Sequence, residues 1–213
     1  MAFVYLVRHG QTKWNKEEIF RGQADIPLND FGRNQAKALA KTLKRKNLEN
    51  PLFIASPLQR ATETAEIIAS YLGKSDLVKD PAYLDISYGN WEGKPLAEIR
   101  QKYPELYRSW LEKPEEVVFP GGENLKAAGD RAEKGIYEIA RKNPDRHSVI
   151  VAHRAINKVL LCRLLGLGEQ GFWRIRQDTA CLNELQFTSR DVILVKLNDT
   201  CHLDNLGRDT KDF

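Results

Sequence analysis

FVYLVRHGQT, residues 3–12, is the stretch that decides the fold of this chain. Its five consecutive apolar or aromatic residues indicate a short strand that is buried on both faces, as in a parallel sheet. The strand ends at Arg8-His9-Gly10, so a cation and an imidazole stand at its carboxyl end. Ligands of open α/β sheets bind at this end of the strands. The stretch therefore predicts an α/β fold with a functional site around His9.

Two further apolar runs repeat this pattern, and a helix is predicted to follow each one. Leu52–Ala55 ends at Ser56-Pro57, and Ser148–Ala152 ends at His153-Arg154. Apolar residues at helical spacing predict helices that begin at about residues 30, 58, 124 and 155. Strands that alternate with helices favour a parallel, doubly wound sheet. Two closing strands, 180–187 and 191–197, are predicted to form a hairpin at a sheet edge.

A single domain is predicted over residues 1–213, with an insertion at about 80–122. The length of 213 residues suits one α/β domain with a modest insertion. The inserted segment holds short helical stretches near 96–102 and 105–111 and is broken by proline and glycine. We expect a three-layer sandwich, in which helices flank a mostly parallel, doubly wound sheet. The insertion is expected to form a small cap over the carboxyl edge of that sheet.

The composition argues against several classes of partner. Hydrophobic residues make up 42% and charged residues 29%, which is typical of a globular protein. The net charge of +4 is spread among acidic residues along the helices, as on a solvated surface rather than a nucleic-acid interface. No apolar run approaches the roughly 18 residues of a membrane helix, and the first strand is too short for a signal peptide. We predict no nucleic-acid partner and no membrane partner.

The cysteine and histidine patterns predict neither a disulfide framework nor a metal site. The chain has three cysteines and four histidines, without C-x-x-C, H-x-H or H-E-x-x-H spacing. The histidines that end strands are accompanied by arginines, which would repel a metal cation. We predict no metal, no cofactor and a location in the reducing cytoplasm. The closing hairpin is a candidate edge for a homodimer.

Polar side chains follow three of the predicted strands and should converge at one edge of the sheet. Each strand contributes two of them: Arg8 and His9, Ser56 and Arg60, and His153 and Arg154. Guanidinium groups match phosphate oxygens in pairs, and their charge stabilises a phosphoryl group in transfer. A neutral imidazole is a competent nucleophile toward phosphorus. The convergence therefore predicts a phosphate site at which a phosphoryl group is transferred.

Further motifs recur in order along nearly the whole chain. They are LVRHGQT-x-WN at 6–15, RGQ-x-D-x-PL at 21–28, G-x-x-QA at 32–36, SPL-x-RA-x-x-TA at 56–65, YG-x-WEG at 88–93, GGE at 121–123 and VAH at 151–153. The set resembles the histidine phosphatase superfamily, the phosphoglycerate-mutase-like proteins. RHG alone is a weak signal, whereas this order at compatible spacing is specific.

The resemblance implies a role for each matching residue. It makes His9 the nucleophile that becomes phosphohistidine, and it places His153 on the phosphoryl oxygens. The residues expected to bind the phosphate or the rest of the substrate are Arg8, Asn15, Arg21, Gly22, Arg60 and Arg154. Arg154 stands where the family commonly has a small residue, and it would add a contact to an anionic substrate.

The resemblance also places a general acid just before the YG-x-WEG motif. Many relatives have a glutamate there, and the matching residue is Asp85, which is one methylene shorter. Glu92 and Glu123 are the alternative acids. Nearer the C-terminus, Phe172 and Trp173 are predicted to be core residues rather than a platform for the substrate.

Three functions are compatible with these motifs. The first is a metal-independent phosphomonoesterase that hydrolyses a small phosphorylated metabolite. The second is a cofactor-dependent phosphoglycerate mutase, and the third is a non-catalytic, phosphate-binding regulatory domain. Mutases of the family carry a longer, basic insertion before the second histidine motif, whereas the segment here is shorter and contains Glu105, Glu112, Glu115 and Glu116. This difference favours the phosphatase branch.

Overall fold

A six-stranded sheet forms the centre of the computed structural model, which describes residues 3–206. The strands are β1 Phe3–Arg8, β2 Leu52–Ala55, β3 Leu77–Lys79, β4 Ser148–Ala152, β5 Leu182–Phe187 and β6 Val192–Asp199. Their order across the sheet is β3-β2-β4-β1-β5-β6. β1 to β4 run parallel to one another, whereas β5 is antiparallel to both β1 and β6. The predicted α/β class with a mostly parallel sheet is confirmed.

The strand boundaries differ from the prediction at both sheet edges. β3 was not predicted, because it has only three residues and two of them are exposed. β5 begins at Leu182 rather than at residue 180, since Ala180 has a φ of 54° and cannot continue an extended strand. These differences leave the centre of the sheet as expected.

Helices cover both faces of the sheet and complete the three layers. They are α1 Lys13–Lys16, α2 Asp30–Arg45, α3 Gln59–Tyr71, α4 Leu96–Lys102, α5 Pro104–Glu112, α6 Leu125–Lys142 and α7 Arg154–Leu164. α1 has no counterpart among the predicted helices, because four residues are too few to show a helical period. Within residues 3–206, no helix is long and apolar enough to cross a membrane.

The burial of β1 on both faces of the sheet explains its unbroken apolar run. Tyr5 and Val7 pack with α2 and α3 on one face, and Val4 and Leu6 pack with α6 and α7 on the other. Because every side chain from Val4 to Arg8 is buried, no solvent-facing polar position interrupts the apolar run. α2, which follows β1, and α7, which follows β4, lie on opposite faces of the sheet. This arrangement opens a crevice between these adjacent strands.

The predicted cap segment, residues 80–122, packs largely through aromatic side chains. It contains α4, α5 and short 3-10 turns at Pro81–Tyr83, Gly89–Trp91 and Pro114–Glu116. Trp91 is fully buried and meets Phe20 and Phe119 edge to face, with ring centroids 5.1 Å apart in each pair. Edge-to-face contacts fix the mutual orientation of rings. The segment is therefore firmly attached beside the carboxyl end of β1.

Candidate active site

His9 lies directly after β1 with its ring fully buried. Its Nδ1 atom is 2.6 Å from the carbonyl oxygen of Gly10. A carbonyl only accepts hydrogen bonds, so Nδ1 carries the proton and Nε2 keeps its lone pair. Burial, followed by the charges of Arg60 and Arg8, holds the pKa of His9 well below its ordinary value. The ring is therefore neutral at physiological pH and presents a nucleophilic nitrogen.

His153 lies beside His9, at the N-cap of α7 and directly after the neighbouring strand β4. The two ring centroids are 5.2 Å apart. Its Nε2 is 2.7 Å from Oγ of Ser56, and its Nδ1 has no hydrogen-bond partner in the described part of the chain. Burial and the charge of Arg60 lower the pKa of His153 well below its usual range. Nδ1 is thus a buried polar atom that a phosphoryl oxygen would satisfy.

Arg8 and Arg60 supply two buried guanidinium groups to the same crevice. Nη1 of Arg8 donates to the carbonyl of Gln177 at 2.7 Å. The Nη1 and Nη2 atoms of Arg60 donate to the carbonyls of Ala24 and Gly22, also at 2.7 Å. Burial lowers the pKa of Arg60 to about 10, so it remains a cation at neutral pH. Buried cations held by neutral carbonyls leave net positive charge for an anionic ligand.

Asp85 is the carboxyl group that faces this cluster. Its Oδ2 atom is 3.6 Å from Nη2 of Arg60 and 4.0 Å from Nδ1 of His153. Its Oδ1 atom accepts a hydrogen bond from the backbone N–H of Ile86 at 3.0 Å. Burial raises the pKa of Asp85, and this effect exceeds the opposing influence of Arg60 and Arg21. The carboxyl can therefore hold a proton at higher pH than an exposed aspartate.

The carboxylates of the alternative acids, Glu92 and Glu123, accept hydrogen bonds from backbone N–H groups. Oε1 of Glu92 accepts from the N–H groups of Gln23 and Tyr88 at 3.1 and 2.9 Å. Oε2 of Glu123 accepts from Ser87 N–H at 2.9 Å and pairs with Arg131 at 3.2 Å. Neither forms a hydrogen bond or ion pair with the two histidines in the part of the chain that the structure describes. The geometry favours Asp85 over both glutamates.

The other predicted binding residues occupy distinct places around the crevice. Oδ1 of Asn15 accepts from the N–H and the hydroxyl of Thr12, at 2.9 and 2.8 Å, and so fixes the turn after β1. Arg21 is buried and lines a cavity together with Asp85. Gly22 contributes its carbonyl to Arg60 and has a φ of 50°. A Cβ there would lie 2.2 Å from Oε1 of Glu92, so a side chain at this position would be strained and would displace Glu92.

Arg154 lies at the start of α7 and lines the same cavity as Asp85. Its guanidinium carbon is 5.6 Å from the ring centroid of Trp173, which also lines the cavity. The predicted core position is confirmed for Phe172, which is buried, whereas Trp173 is partly buried, packs against the core and also lines the cavity. Nε1 of Trp173 donates to the carbonyl of Trp110 at 2.7 Å, which holds the ring against α5 of the cap.

Two residues that support the site received no role from the sequence. Thr64 lies one turn after Arg60 on α3, and its hydroxyl accepts from the N–H of Gly10 at 3.1 Å. The i, i+4 spacing of these two residues could have indicated a shared face. Gln177 accepts from Arg8 through its carbonyl, but it lies in an irregular segment with no periodic signal.

The arrangement is suited to transfer of a phosphoryl group. It combines an unprotonated nucleophile, buried cations that would neutralise a phosphoryl group, and a carboxyl group that can donate a proton. Within residues 3–206, no group of three or more histidine, cysteine, aspartate or glutamate side chains is placed to hold a metal ion.

Comparison with known proteins places this site in a family. The family model described as histidine phosphatase superfamily (branch 1) matches residues 4–200. The chain is 34% identical to phosphoserine phosphatase 1 of Hydrogenobacter thermophilus over 203 residues, which cover 95% of each chain.

Solved structures are also similar to this chain over nearly its whole length. YhfR of Bacillus stearothermophilus superposes with a TM-score of 0.90 at 27% identity, covering 96% of this chain and all of that one. A mycobacterial glucosyl-3-phosphoglycerate phosphatase, solved with VO3, superposes with a TM-score of 0.84 at 28% identity, covering 94% and 100% of the two chains. The chain belongs to branch 1 of the histidine phosphatase superfamily.

Proposed function

We propose that this phosphomonoesterase hydrolyses a small phosphorylated metabolite through a phosphohistidine intermediate on His9. In the first step, Nε2 of His9 forms a bond to phosphorus as the bond from phosphorus to the alcohol oxygen breaks. Asp85 gives its proton to the departing oxygen and becomes a carboxylate. Arg8, Arg60 and His153 hold the phosphoryl oxygens and stabilise their charge.

Hydrolysis of the intermediate completes the reaction. Asp85, now a carboxylate, accepts a proton from a water molecule whose oxygen bonds to phosphorus, and the bond from Nε2 of His9 to phosphorus breaks. Inorganic phosphate leaves, and His9 and Asp85 return to their initial protonation states. Asn15, Arg21 and Gly22 shape and support the phosphate site, and Arg154 contacts the remainder of the substrate.

One observation carries this proposal: Nδ1 of His9 is hydrogen-bonded to the Gly10 carbonyl at 2.6 Å, which leaves Nε2 unprotonated in the field of the buried Arg60 and Arg8. A histidine that merely filled core space would not need two buried cations beside it. The phosphatase names of the relatives support hydrolysis over a mutase reaction and over a purely regulatory role. The relative named phosphoserine phosphatase 1 supports a small phosphorylated substrate.

Hydrolysis of p-nitrophenyl phosphate in excess EDTA tests the proposed function. We expect turnover that the chelator does not reduce, because the proposed chemistry needs only side chains. A second reaction with 3-phosphoglycerate and a bisphosphoglycerate primer should release inorganic phosphate and form no 2-phosphoglycerate. Isomerisation that outpaces phosphate release would instead make the protein a mutase. No turnover in either reaction would support the regulatory alternative.

We further propose that residues 1–213 form a single domain, in which the cap sets the range of accepted alcohols. Residues 1–2 and 207–213 lie outside the described part of the chain. The cap supports this role because Tyr88, Tyr107 and Trp110 line the cavity next to Asp85. A cytoplasmic location is supported by Cys162, Cys181 and Cys201, all of which are free thiols.

We propose that two copies of the chain associate along β6, which lies at an edge of the sheet. This strand exposes three alternate apolar side chains, Ile193, Val195 and Leu197. An exposed apolar edge strand is a ready partner for a second strand. Val195→Lys should therefore convert a dimer to a monomer in analytical ultracentrifugation. The control is Lys37→Asp, at an exposed position of α2, which should leave the dimer intact. A wild-type chain that sediments as a monomer contradicts this proposal.

A further inference from the structure

Ser56 follows β2 directly, and its side chain is fully buried beside His153. Its backbone N–H donates to the carbonyl of Val151 at 3.0 Å, two residues before that histidine. Its Oγ atom is 2.7 Å from Nε2 of His153. The proposed reaction uses no atom of Ser56. The effect of this hydroxyl on the site depends on which of the two atoms holds the proton of their hydrogen bond.

The other contact of the Ser56 hydroxyl decides the direction of that hydrogen bond. A hydroxyl donates one hydrogen and can accept others. Oγ accepts from the backbone N–H of Leu58, at the N-cap of α3, at 3.4 Å. Among the described residues, Nε2 of His153 is the one acceptor within hydrogen-bond distance of this hydroxyl. If Nε2 carried the proton, the hydroxyl hydrogen would be buried without an acceptor, which is costly. Ser56 therefore donates, and Nε2 accepts.

The position of the remaining proton on His153 follows from this direction. Burial and the charge of Arg60 hold the pKa of His153 well below its usual range, so the ring is neutral and carries a single N–H. Because Nε2 accepts, that proton is on Nδ1. Oδ2 of Asp85 is 4.0 Å from Nδ1, which is too far for a hydrogen bond. Nδ1–H is thus a buried donor on the side of His153 that faces the carboxyl of Asp85.

The two histidines then have the same tautomer but perform opposite tasks. His9 donates from Nδ1 to the carbonyl of Gly10 and keeps a lone pair on Nε2 for phosphorus. His153 accepts at Nε2 and keeps a proton on Nδ1 for a phosphoryl oxygen. We propose that Ser56 is a positioning residue, which holds the neutral ring of His153 as a hydrogen-bond donor to the phosphoryl group. The identity of this ligand rests on the proposed function.

Nuclear magnetic resonance of the resting protein tests the tautomer without any turnover. A long-range ¹H–¹⁵N correlation spectrum distinguishes protonated from unprotonated ring nitrogens, and the spectrum of His153→Ala identifies the signals of His153 by their absence. We expect a protonated Nδ1 and an unprotonated Nε2 at neutral pH. A protonated Nε2 in the wild-type protein overturns the inference.

Inorganic phosphate tests the ligand of Nδ1–H in the same spectrum. Its addition should shift the Nδ1 resonance of His153, because a phosphoryl oxygen accepts from this group. The resonances of His147, whose Nδ1 accepts from the backbone N–H of Phe3 at 3.2 Å, should stay in place. An Nδ1 resonance of His153 that is unchanged at saturating phosphate contradicts the proposed contact.

Ser56→Ala removes the hydroxyl and preserves the backbone bond to Val151. We expect His153 to populate both neutral tautomers and kcat for p-nitrophenyl phosphate to fall by about tenfold, the effect of one hydrogen bond. The matched control is Ser148→Ala, a buried serine at the amino end of β4, whereas the site lies beyond the carboxyl end. This control should keep the wild-type tautomer and kcat. Thermal melts establish that both variants are folded.

A double variant shows whether Ser56 acts through His153. In His153→Ala no imidazole remains to be oriented, so adding Ser56→Ala should change kcat by less than about twofold. A further tenfold loss in the double variant overturns the positioning role, as does a kcat of Ser56→Ala that equals that of Ser148→Ala. If wild-type protein hydrolyses no p-nitrophenyl phosphate, the proposed function fails, and the spectrum still decides the tautomer.

Discussion

His9→Ala should lose phosphatase activity by a factor on the order of 10⁴ to 10⁶ in kcat, the range observed when a covalent nucleophile is removed. Alanine has no atom that can attack phosphorus, whereas the buried arginines of the site remain in place. Phosphate binding should therefore survive the substitution. Steady-state hydrolysis of p-nitrophenyl phosphate and a direct binding measurement with vanadate together distinguish loss of chemistry from loss of the site.

A labelling experiment makes the same prediction more specific. Wild-type protein quenched during turnover of a ³²P-labelled ester should carry label that is stable in alkali and lost in acid, as expected for phosphohistidine. The His9→Ala variant should carry none. His147→Gln provides a control, because this histidine is half-buried far from the site and accepts a hydrogen bond from Phe3 N–H at 3.2 Å. Full activity in His9→Ala would remove the nucleophile assignment.

Asp85→Asn should slow hydrolysis of esters with aliphatic alcohols by about 10²-fold to 10⁴-fold, the typical contribution of a general acid. The amide preserves the size of the side chain but cannot give a proton to the leaving oxygen. Nitrophenolate leaves readily without a proton, so p-nitrophenyl phosphate should be affected much less. The comparison of benzyl phosphate with p-nitrophenyl phosphate in this variant therefore isolates proton donation from any change in binding.

The pH profile supplies an independent test of the same carboxyl group. Burial raises the pKa of Asp85, and the first step needs this group protonated, so the rate should fall as pH rises through that raised pKa. Burial lowers the pKa of His9, so loss of the nucleophile by protonation should occur only at pH values well below its ordinary range. In Asp85→Asn the decline on the alkaline side should disappear, because asparagine does not ionise.

Glu92→Gln and Glu123→Gln are matched controls for Asp85→Asn. Both glutamates accept hydrogen bonds from backbone N–H groups of the segment around Ser87 and Tyr88. Their substitution should lower thermal stability while the alkaline decline of the pH profile remains. If Asp85→Asn kept the wild-type rate with benzyl phosphate and one of these variants lost it, the acid would be that glutamate.

The central part of the fold could be predicted because it rests on local patterns. β1 and β4 are buried on both faces, so their apolar runs are continuous and their polar ends stand out. The sheet order then brings His9 and His153 together, since ends of adjacent parallel strands share one edge. The proposed role of Asp85, near His153, followed from the resemblance to a family, because an irregular segment has no period from which contacts can be derived.

The residues that line the cavity could not be predicted as a group from the sequence. Trp173 packs against the core, as the sequence indicates, but its place in the cavity wall depends on its hydrogen bond to the carbonyl of Trp110, which no local pattern shows. Arg100 lies on an exposed turn of α4, where an arginine usually faces solvent, and its relation to Arg154 depends on how the cap is placed. Contacts between segments that are distant in the chain leave no local signature.

The sheet order also links ligand binding to the folding of the chain. The two histidines occupy positions 9 and 153, yet their strands are hydrogen-bonded neighbours, with Val7 opposite Val151. The crevice therefore comes into existence only after a very long loop has closed, a step whose entropic cost slows folding. An unfolded chain holds no such crevice, so an anion bound there at 100 times its Kd stabilises the native state by about 2.7 kcal/mol. Phosphate, the product of the proposed reaction, is thus also a stabiliser of this long-range strand pairing.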